Sequence, residues 1–287
     1  MKIGVISDTH SNYHGLKACV DHGIKEGADR FLFLGDYVSD CGYPQKTMNL
    51  LYELKDSYEC SFIKGNREEY MLDYKDQGLN HWIIPSSATG SLLYTFENLT
   101  ERDFDFFRSL PISGRMSISG YPDVLYCHGS MEHTKGVLRL GSQKVTDTLK
   151  SMDAGVILCG HSHIQGTQEY QGKKLMNVGS AGVPYFYEGN AQYGILHGEK
   201  GTWEEELLQI DYDKALAVFD LHDSGLYEKS NIWAKLVENC LLTGIDRSKE
   251  CLDLALKLYQ DLEGKTEWST IPECYWQEAA NVLGLLG

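Results

Sequence analysis

Two histidines separated by one residue follow an apolar run in the middle of the chain. The segment "VILCGHSHIQG", residues 156–166, places His161 and His163 directly after a run typical of a buried strand. Side chains two residues apart in extended backbone share one face. The two imidazoles are therefore either packing partners or ligands to one metal ion or to two neighbouring ions, and this stretch alone leaves both interpretations open.

Side chains of metal-ligand type follow every apolar run in the first part of the chain. The runs are 2–7, 30–35, 61–65, 123–127 and 155–160, and the residues that follow them are Asp8, His10, Asp36, Asn66, His128, His161 and His163. Each residue alone is typical of a cap or a turn. In an open α/β sheet, however, functional groups gather beyond the carboxyl ends of the strands. Seven such residues at five strand ends therefore favour a shared site.

The chemistry of this set favours a pair of metal ions. Imidazole nitrogen together with carboxylate and amide oxygen suits manganese, iron, zinc or nickel. Seven ligands are too many for one tetrahedral zinc ion. They fit two ions that share a carboxylate, an arrangement that clamps in-line displacement at phosphorus with the metals about 3.5–4 Å apart.

The order of the predicted elements indicates an α/β fold with a helical extension. Helix-like stretches alternate with the apolar runs, and this alternation predicts a sheet covered on both faces. The stretches are 13–26, 44–56, 67–76, 100–109 and 142–151. Thr100 and Asp103 form a capping signal at the start of the fourth stretch. In residues 167–210, apolar and polar residues alternate and glycine turns separate the segments, a pattern typical of antiparallel strands. We expect a domain over 1–211 and four amphipathic helices over 212–287, docked on the core.

Composition excludes several classes of function. The 287 residues carry 26 Lys and Arg against 41 Asp and Glu, a formal charge of −15, which disfavours non-specific binding to nucleic acid or to anionic membranes. The N-terminus lacks signal-peptide architecture, and no apolar run approaches the roughly 18 residues of a membrane span. The eight cysteines are scattered without a CxxC pair, so we expect reduced thiols and a cytoplasmic protein.

The motifs taken together resemble a known family. D-x-H, G-D, G-N-x-[DE], H-G and G-H-[ST]-H, spread over residues 1–210, resemble the calcineurin-like metallophosphoesterase superfamily. The segment "NVGSAG", 177–182, is similar to the N-P-G-S segment of the small bacterial phosphodiesterase/phosphatase branch, with Val178 where proline is usual. The resemblance implies a two-sheet αββα sandwich, here with the C-terminal helical extension.

The resemblance also implies roles for the ligand residues. It places Asp8, His10 and His163 on the first metal; Asn66, His128 and His161 would hold the second, and Asp36 would bridge the two. The cofactors would be two divalent or trivalent ions, manganese first, with iron, zinc or nickel as alternatives. A metal-bridging hydroxide would attack phosphorus. Glu68 is expected to lie outside the ligand set and to orient a ligand histidine.

Residue 67 departs from the family pattern. The larger phosphatases and nucleases of the superfamily read G-N-H-[DE], whereas this chain reads G-N-R-E. Arginine cannot act as a general acid, but its planar fork binds phosphate oxygens. Arg67 is therefore either a substrate-binding and catalytic group, beside Asp36, Asn66 and His128, or an exposed helix-opening arginine paired with Glu68 or Glu69. His133, in the loop past His128, is a candidate substrate-binding residue and substitute acid, or a solvated side chain.

The expected function is metal-dependent hydrolysis of a phosphodiester or phosphomonoester in a small molecule or nucleotide. The alternatives are a serine/threonine-type protein phosphatase, a dinucleoside polyphosphate hydrolase and a non-catalytic scaffold with the same fold. The C-terminal helices would cap the site, mediate a homo-oligomer or cover the sheet. Lys135 and Arg139 could overhang the site, and Tyr185, Phe186 and Tyr187 could stack on a base or pack in the core.

Because Arg67 cannot protonate a leaving group, we predict that aryl phosphates and activated diesters react faster than simple alkyl phosphates. General acid catalysis contributes about 10²–10⁴-fold, so the difference is measurable by comparing kcat/KM for matched aryl and alkyl esters. Equal rates for the two ester classes would contradict the prediction.

Overall fold

Two five-stranded sheets form the centre of the protein. The computed structural model describes residues 1–77, 82 and 86–285. Within these ranges the strands are β1 (Lys2–Ile6), β2 (Arg30–Phe33), β3 (Glu59–Phe62), β4 (Ser113–Met116), β5 (Val124–Cys127), β6 (Val156–Cys159), β7 (Gly166–Tyr170), β8 (Lys173–Asn177), β9 (Ala191–Glu199) and β10 (Thr202–Ile210).

Helices connect and cover the strands. In the described part of the chain they are α1 (Tyr13–Lys25), α2 (Pro44–Ser57), α3 (Asn66–Gln77), α4 (Ser87–Glu97), α5 (Glu101–Ser109), α6 (Gln143–Ser151), α7 (Lys214–Asp223), α8 (Leu226–Lys229), α9 (Asn231–Thr243), α10 (Ser248–Glu263) and α11 (Glu273–Val282). Single 3₁₀ turns lie at Tyr187–Gly189 and Trp268–Thr270. None of these helices is long and apolar enough to cross a bilayer.

Each sheet contains three neighbouring parallel strands and two further strands joined by antiparallel pairing. The first has the order β10-β9-β1-β2-β3, with β1, β2 and β3 parallel and β9 and β10 antiparallel. The second has the order β4-β5-β6-β8-β7, with β5, β6 and β8 parallel. The parallel strands of each sheet end at the same edge, which is where the candidate ligands follow them.

Strands β1, β2, β5 and β6 are mostly apolar because both of their faces are covered. In β2, Phe33 faces the helical layer with α1 and α2, while Leu32 packs between the sheets. In β6, Val156 packs between the sheets and Ile157 faces α6. This period-two alternation produces the layers helix, sheet, sheet, helix, and the predicted αββα sandwich is confirmed.

Most predicted elements are present with boundaries shifted by a few residues. The five apolar runs are β1, β2, β3, β5 and β6, and the capping box of Thr100 and Asp103 at α5 is confirmed. Three elements were missed, namely α4, β4 and α8. The α4 sequence, SATGSLLYTFE, lacks strong helix signals. Gly90 of α4 lets α8 approach, since a Cβ there would lie 1.8 Å from the Lys229 carbonyl oxygen.

The C-terminal helices belong to the same packed body as the sandwich. Val237, Cys240 and Leu241 of α9 lie in one hydrophobic cluster with Leu16 of α1. The Ser230 hydroxyl, just before α9, donates to a backbone carbonyl of α4. Residues after 212 therefore contribute to the main core as well as to a smaller cluster among α9, α10 and α11.

Adjacent leucines in α9 test this packing. Leu241 is fully buried, whereas Leu242 is 47% exposed. We predict that Leu241→Ala lowers the free energy of unfolding by about 2–5 kcal/mol, and that Leu242→Ala changes it by less than about 0.5 kcal/mol. Urea denaturation measures both values. Equal small effects would mean that α9 unfolds independently of the sandwich.

Candidate metal centre

Backbone hydrogen bonds between neighbouring loops hold the strand ends together. Asp8 N donates to the Gly35 carbonyl and His10 N to the Asp36 carbonyl, both at 3.0 Å, so the loops after β1 and β2 run side by side. His161 N donates to Asp8 Oδ2 at 2.8 Å and joins the second sheet to the first. These bonds bring all seven candidate ligands to one end of the sandwich.

The "NVGSAG" segment fixes the same loops from the other side. The Ser180 hydroxyl donates to the Asp8 carbonyl at 2.7 Å, and Asn177 Nδ2 donates to the Gly160 carbonyl at 2.8 Å. Gly160 is required for close approach, because a Cβ there would lie 2.0 Å from Ser7 Oγ and 2.4 Å from Asp8 Oδ2. The two sheets can meet at this point only with glycine at position 160.

His161 and His163 are not in extended backbone, so the prediction that they share a strand face was wrong. The same is true of Asp8 and His10, which have the same spacing. Asp8, His10, His161 and His163 all have positive φ, between 45° and 64°. L-residues in this left-handed region cost roughly 1–2 kcal/mol each. The strands end before these residues, and the tight turns that follow send His161 towards His128 and His163 towards His10.

The first group of ligand-type atoms belongs to Asp8, His10 and His163, within 4.8 Å of one another. His10 Nδ1 donates to Asp40 Oδ2 at 2.9 Å, and His163 Nδ1 donates to the Val183 carbonyl at 2.7 Å. In neutral rings both Nε2 atoms then carry lone pairs, yet they lie 3.1 Å apart. Asp8 Oδ1, 3.2 Å from His163 Nε2, is buried without a hydrogen-bond partner.

The second group contains Asp36, His128 and His161, with Asn66 beside them. His128 Nδ1 donates to the Leu34 carbonyl at 2.8 Å, which leaves Nε2 as the acceptor of the neutral ring. Three other ligand-type atoms surround that nitrogen: His161 Nδ1 and Asn66 Oδ1 at 3.2 Å, and Asp36 Oδ2 at 3.4 Å. Nitrogen and oxygen atoms that converge at these distances fit a cation between them.

One carboxylate oxygen faces both groups. Asp36 Oδ2 lies 3.4 Å from His128 Nε2 and 3.8 Å from His10 Nε2. The other oxygen, Oδ1, accepts from the backbone N–H of Arg67 at 2.8 Å, which fixes the direction of the carboxylate. The position of Oδ2 between two sets of lone pairs suits a bridging ligand, and the chemistry of the donor set fits a pair of cations.

Before a cation is bound, the carboxylates and imidazoles strongly shift each other's pKa. Burial lowers the pKa of His128, but the charges of Asp36 and Asp8 raise it to about 10. Burial raises the pKa of Asp36, and the histidines lower it to about 2. His161, which is buried beside His128, has its pKa lowered to about 4. A metal ion therefore has to displace protons from the cluster when it binds.

Asp40 is a candidate site residue that the sequence analysis missed. Its carboxylate accepts from His10 Nδ1 at 2.9 Å, from Arg67 at 3.0 Å and from Trp233 Nε1 at 2.8 Å. Burial raises the pKa of Asp40, but Arg67 and His10 hold it far below its usual range. Asp40 thus orients a ligand histidine. No local signal indicates this, because Trp233 lies far along the chain.

Glu68 does not orient a histidine as expected. Its carboxylate accepts from the backbone N–H groups of Gly65, Asp36 and Tyr37 at 2.8–2.9 Å. Burial and the charge of Asp36 raise the pKa of Glu68 to about 7, against the opposing effect of these hydrogen bonds. Glu68 therefore supports the backbone of the Asp36 loop. Asp40, and not Glu68, makes the hydrogen bond that orients a candidate ligand histidine.

Arg67 is part of the centre and is not an exposed surface residue. Its guanidinium lies 3.0 Å from Asp40 and 3.9 Å from Asp36, and it does not pair with Glu68 or Glu69 as the alternative required. Its Nε is buried without a hydrogen-bond partner. With His10, Asp36, Asn66, His161 and His163, it lines a pocket of about 150 Å³. A donor without a partner beside the ligand groups suits an anionic oxygen.

Other predicted substrate contacts lie further out. His133 is exposed in the loop after β5 and lines none of the pockets beside the cluster in the described chain, so its role stays a prediction. Of the three aromatic residues at 185–187, only Tyr185 lines the metal pocket, 4.9 Å from the His163 ring. Phe186 and Tyr187 are exposed. Lys135 lies over the Tyr70 ring, and Arg139 is exposed.

Comparison with protein families identifies the family to which the chain belongs. Residues 1–201 match the calcineurin-like phosphoesterase superfamily domain. The chain belongs to this superfamily. The match ends before α7, so α7 and all the helices after it lie outside the matched region.

Individual relatives of this superfamily member are distant. An uncharacterised protein of Methanocaldococcus jannaschii is 26% identical over 226 residues, covering 74% of this chain and 88% of that protein. A PP2A-like serine/threonine-protein phosphatase of Candida albicans is 29% identical over 131 residues, covering 45% of this chain and 29% of that protein.

Solved structures share the fold. A metallophosphoesterase from Sphaerobacter thermophilus superposes with a TM-score of 0.67 at 19% identity, covering 85% of this chain and 100% of that one. A hypothetical protein from Pyrococcus horikoshii superposes with a TM-score of 0.71 at 19% identity, covering 85% of this chain and 99% of that one.

The role of Asp40 is testable by metal titration. Asp40→Asn keeps the side-chain shape but weakens the hydrogen bond that orients His10. We predict a loss of about 10–100-fold in metal affinity, the usual effect of removing such a partner. Asp220→Asn is the matched control, because Asp220 also pairs with a histidine, His14, but lines none of the pockets beside the cluster. Equal affinities of the two variants would show that Asp40 does not position His10.

Proposed function

We propose that this protein is a metal-dependent phosphoesterase acting on phosphodiester or phosphomonoester bonds. The observation that carries the proposal is the position of Asp36 Oδ2 between two groups of converging ligand-type atoms, beside the buried Arg67 Nε, which makes no hydrogen bond. Membership of the calcineurin-like superfamily supports the same reaction class.

The proposed ligand residues divide into two sets joined by Asp36. Asp8, His10 and His163 would hold one cation; Asn66, His128 and His161 would hold the other. Manganese is proposed first, and iron, zinc and nickel also suit the mixed donor set. When bound, the cations supply charge neutralisation at the phosphoryl group and a deprotonated water as nucleophile.

Arg67 is proposed to bind a non-bridging phosphate oxygen and to stabilise its charge. Burial lowers the pKa of Arg67, but Asp40 and Asp36 raise it above the usual value, so the guanidinium stays charged. It cannot donate a proton to the leaving group. Burial also raises the pKa of Tyr185, which faces the same pocket, and this disfavours Tyr185 as an acid near neutral pH.

The test is hydrolysis of bis-p-nitrophenyl phosphate and p-nitrophenyl phosphate by chelator-stripped protein, with and without added manganese. We predict turnover that returns with the metal and that Asp36→Asn lowers by more than about 100-fold, since direct ligands should matter more than the residues that orient them. Asp220→Asn, a carboxylate-to-amide change away from the pocket, should retain full activity.

The outcomes separate the proposal from its alternatives. The ratio of diester to monoester rates distinguishes a phosphodiesterase from a phosphatase. Turnover of a phosphoserine peptide in preference to both esters would favour a protein phosphatase instead. No turnover with manganese, nickel, zinc or iron, together with no bound metal, would contradict the proposal and indicate a non-catalytic scaffold.

The remaining expectations stay predictions. All eight cysteines are free thiols, which supports a reducing compartment such as the cytoplasm. The substrate is proposed to be a phosphorylated small molecule or nucleotide. A homo-oligomer through the C-terminal helices is also still a prediction.

A further inference from the structure

A second pocket, of about 280 Å³, adjoins the metal pocket, and its walls combine polar and aromatic side chains. It shares Asp40, Asn66, Arg67 and Trp233 with the metal pocket, so the two pockets are neighbours. We call it the aromatic pocket. Its remaining lining comes from Tyr70, Ala88, Leu92, Leu252 and Trp268.

The C-terminal helices build the outer wall of the aromatic pocket. Trp233 of α9, Leu252 of α10 and Trp268 of the following 3₁₀ turn all lie beyond residue 201, where the family match ends. Trp233 is held in place by its hydrogen bond to Asp40 Oδ1 at 2.8 Å. The same carboxylate that orients His10 therefore positions a wall of the neighbouring pocket.

Two aromatic rings offer stacking surfaces at the far side. The ring centroids of Tyr70 and Trp268 lie 6.3 Å apart at an interplanar angle of 43°, and both side chains are half-buried. A planar group can stack on one of these faces. An apolar cavity of about 150 Å³ holds benzene in another protein, so a pocket of about 280 Å³ has room for a heteroaromatic base.

Two cationic groups lie near the Tyr70 ring. The Arg67 guanidinium carbon lies 5.9 Å from the Tyr70 ring centroid, and Lys135 Nζ, which lines a third, neighbouring pocket together with Tyr70 and Trp268, lies 4.6 Å from it. In a protein with a net charge of −15, positive groups beside an aromatic ring favour a ligand that is planar and anionic. Nucleotides combine these two properties.

We propose that the aromatic pocket binds the base of a nucleotide whose phosphate lies at the metal centre. This inference rests on the proposed phosphoesterase function and narrows its substrate class. The pocket acts by stacking and shape, so it selects for a planar base over a bare sugar phosphate. Trp268 and Tyr70 are the residues that determine this preference.

Calorimetric titration of the manganese-loaded full chain tests the proposal. The ligands are the non-hydrolysable phosphonate analogues of adenosine 5′-monophosphate and of ribose 5-phosphate, which share the anionic group and differ in the base. We predict that the adenosine analogue binds about 5–150-fold more tightly, equivalent to a stacking contribution of about 1–3 kcal/mol.

Three variants locate the effect. Trp268→Leu and Tyr70→Leu should each remove most of the preference for the adenosine analogue while leaving the affinity for the ribose analogue unchanged. Two variants are used so that misfolding of one, detected by thermal unfolding, leaves the other to decide. Phe219→Ala, which removes an exposed aromatic ring of α7 that lines neither the metal pocket nor the aromatic pocket, should keep the preference.

Equal binding of the two analogues, or a preference that survives both leucine variants, would overturn the aromatic subsite. If bis-p-nitrophenyl phosphate is still hydrolysed in a metal-dependent way, the proposed function stands and only this inference fails. If neither analogue binds and no ester is hydrolysed, both proposals fail together.

Discussion

The structure depends on keeping metal-ligand atoms that repel one another in a single buried cluster. His10, His128 and His163 each direct one ring nitrogen to a carboxylate or a carbonyl, and the other nitrogen is thereby left as an acceptor aimed inwards. Carboxylate oxygens of Asp8 and Asp36 point to the same place. Only protons or cations relieve such a set, and the mixed nitrogen and oxygen donors are typical of transition-metal ligands. The hydrogen-bond partners of the outward-facing ring nitrogens therefore determine the geometry of the cluster as much as the ligand-type atoms do.

The sandwich supplies the rigidity that this cluster requires. Positive φ at Asp8, His10, Asp36, His161 and His163 is unfavourable for each residue. The turns persist because buried strands precede them and because neighbouring loops are tied by backbone hydrogen bonds, by Ser180 and by Glu68. Glu68 is informative because its three acceptor contacts are all to backbone N–H groups. A buried carboxylate here holds the shape of a loop, and the ligand geometry follows from that shape.

Local signals in the sequence were sufficient to predict that the seven candidate ligand residues lie at one edge of a covered sheet, and the family resemblance supplied the αββα sandwich. Each ligand directly follows an apolar run, and parallel strands bring such positions to one edge. The turn conformation at His161 and His163 was not predictable from spacing, since an i, i+2 pair is compatible with extended backbone and with tight turns. Asp40 was missed for a different reason. Its partners His10, Arg67 and Trp233 come from the β1 loop, α3 and α9, and no local pattern distinguishes Asp40 from an ordinary loop aspartate.

Asp40 also explains why the C-terminal helices cannot be treated as a passive cover. One carboxylate accepts from a ligand histidine, from the arginine that replaces the usual histidine and from Trp233 of α9. Displacement of α9 would leave Asp40 Oδ1 without its indole donor and would free Arg67 to pair with both carboxylate oxygens. The guanidinium would then be drawn away from the pocket. The family match ends at residue 201. The position of the Arg67 guanidinium is therefore controlled by α9, a helix that lies outside the family match. The candidate metal cluster and α9 are therefore linked through a single buried carboxylate.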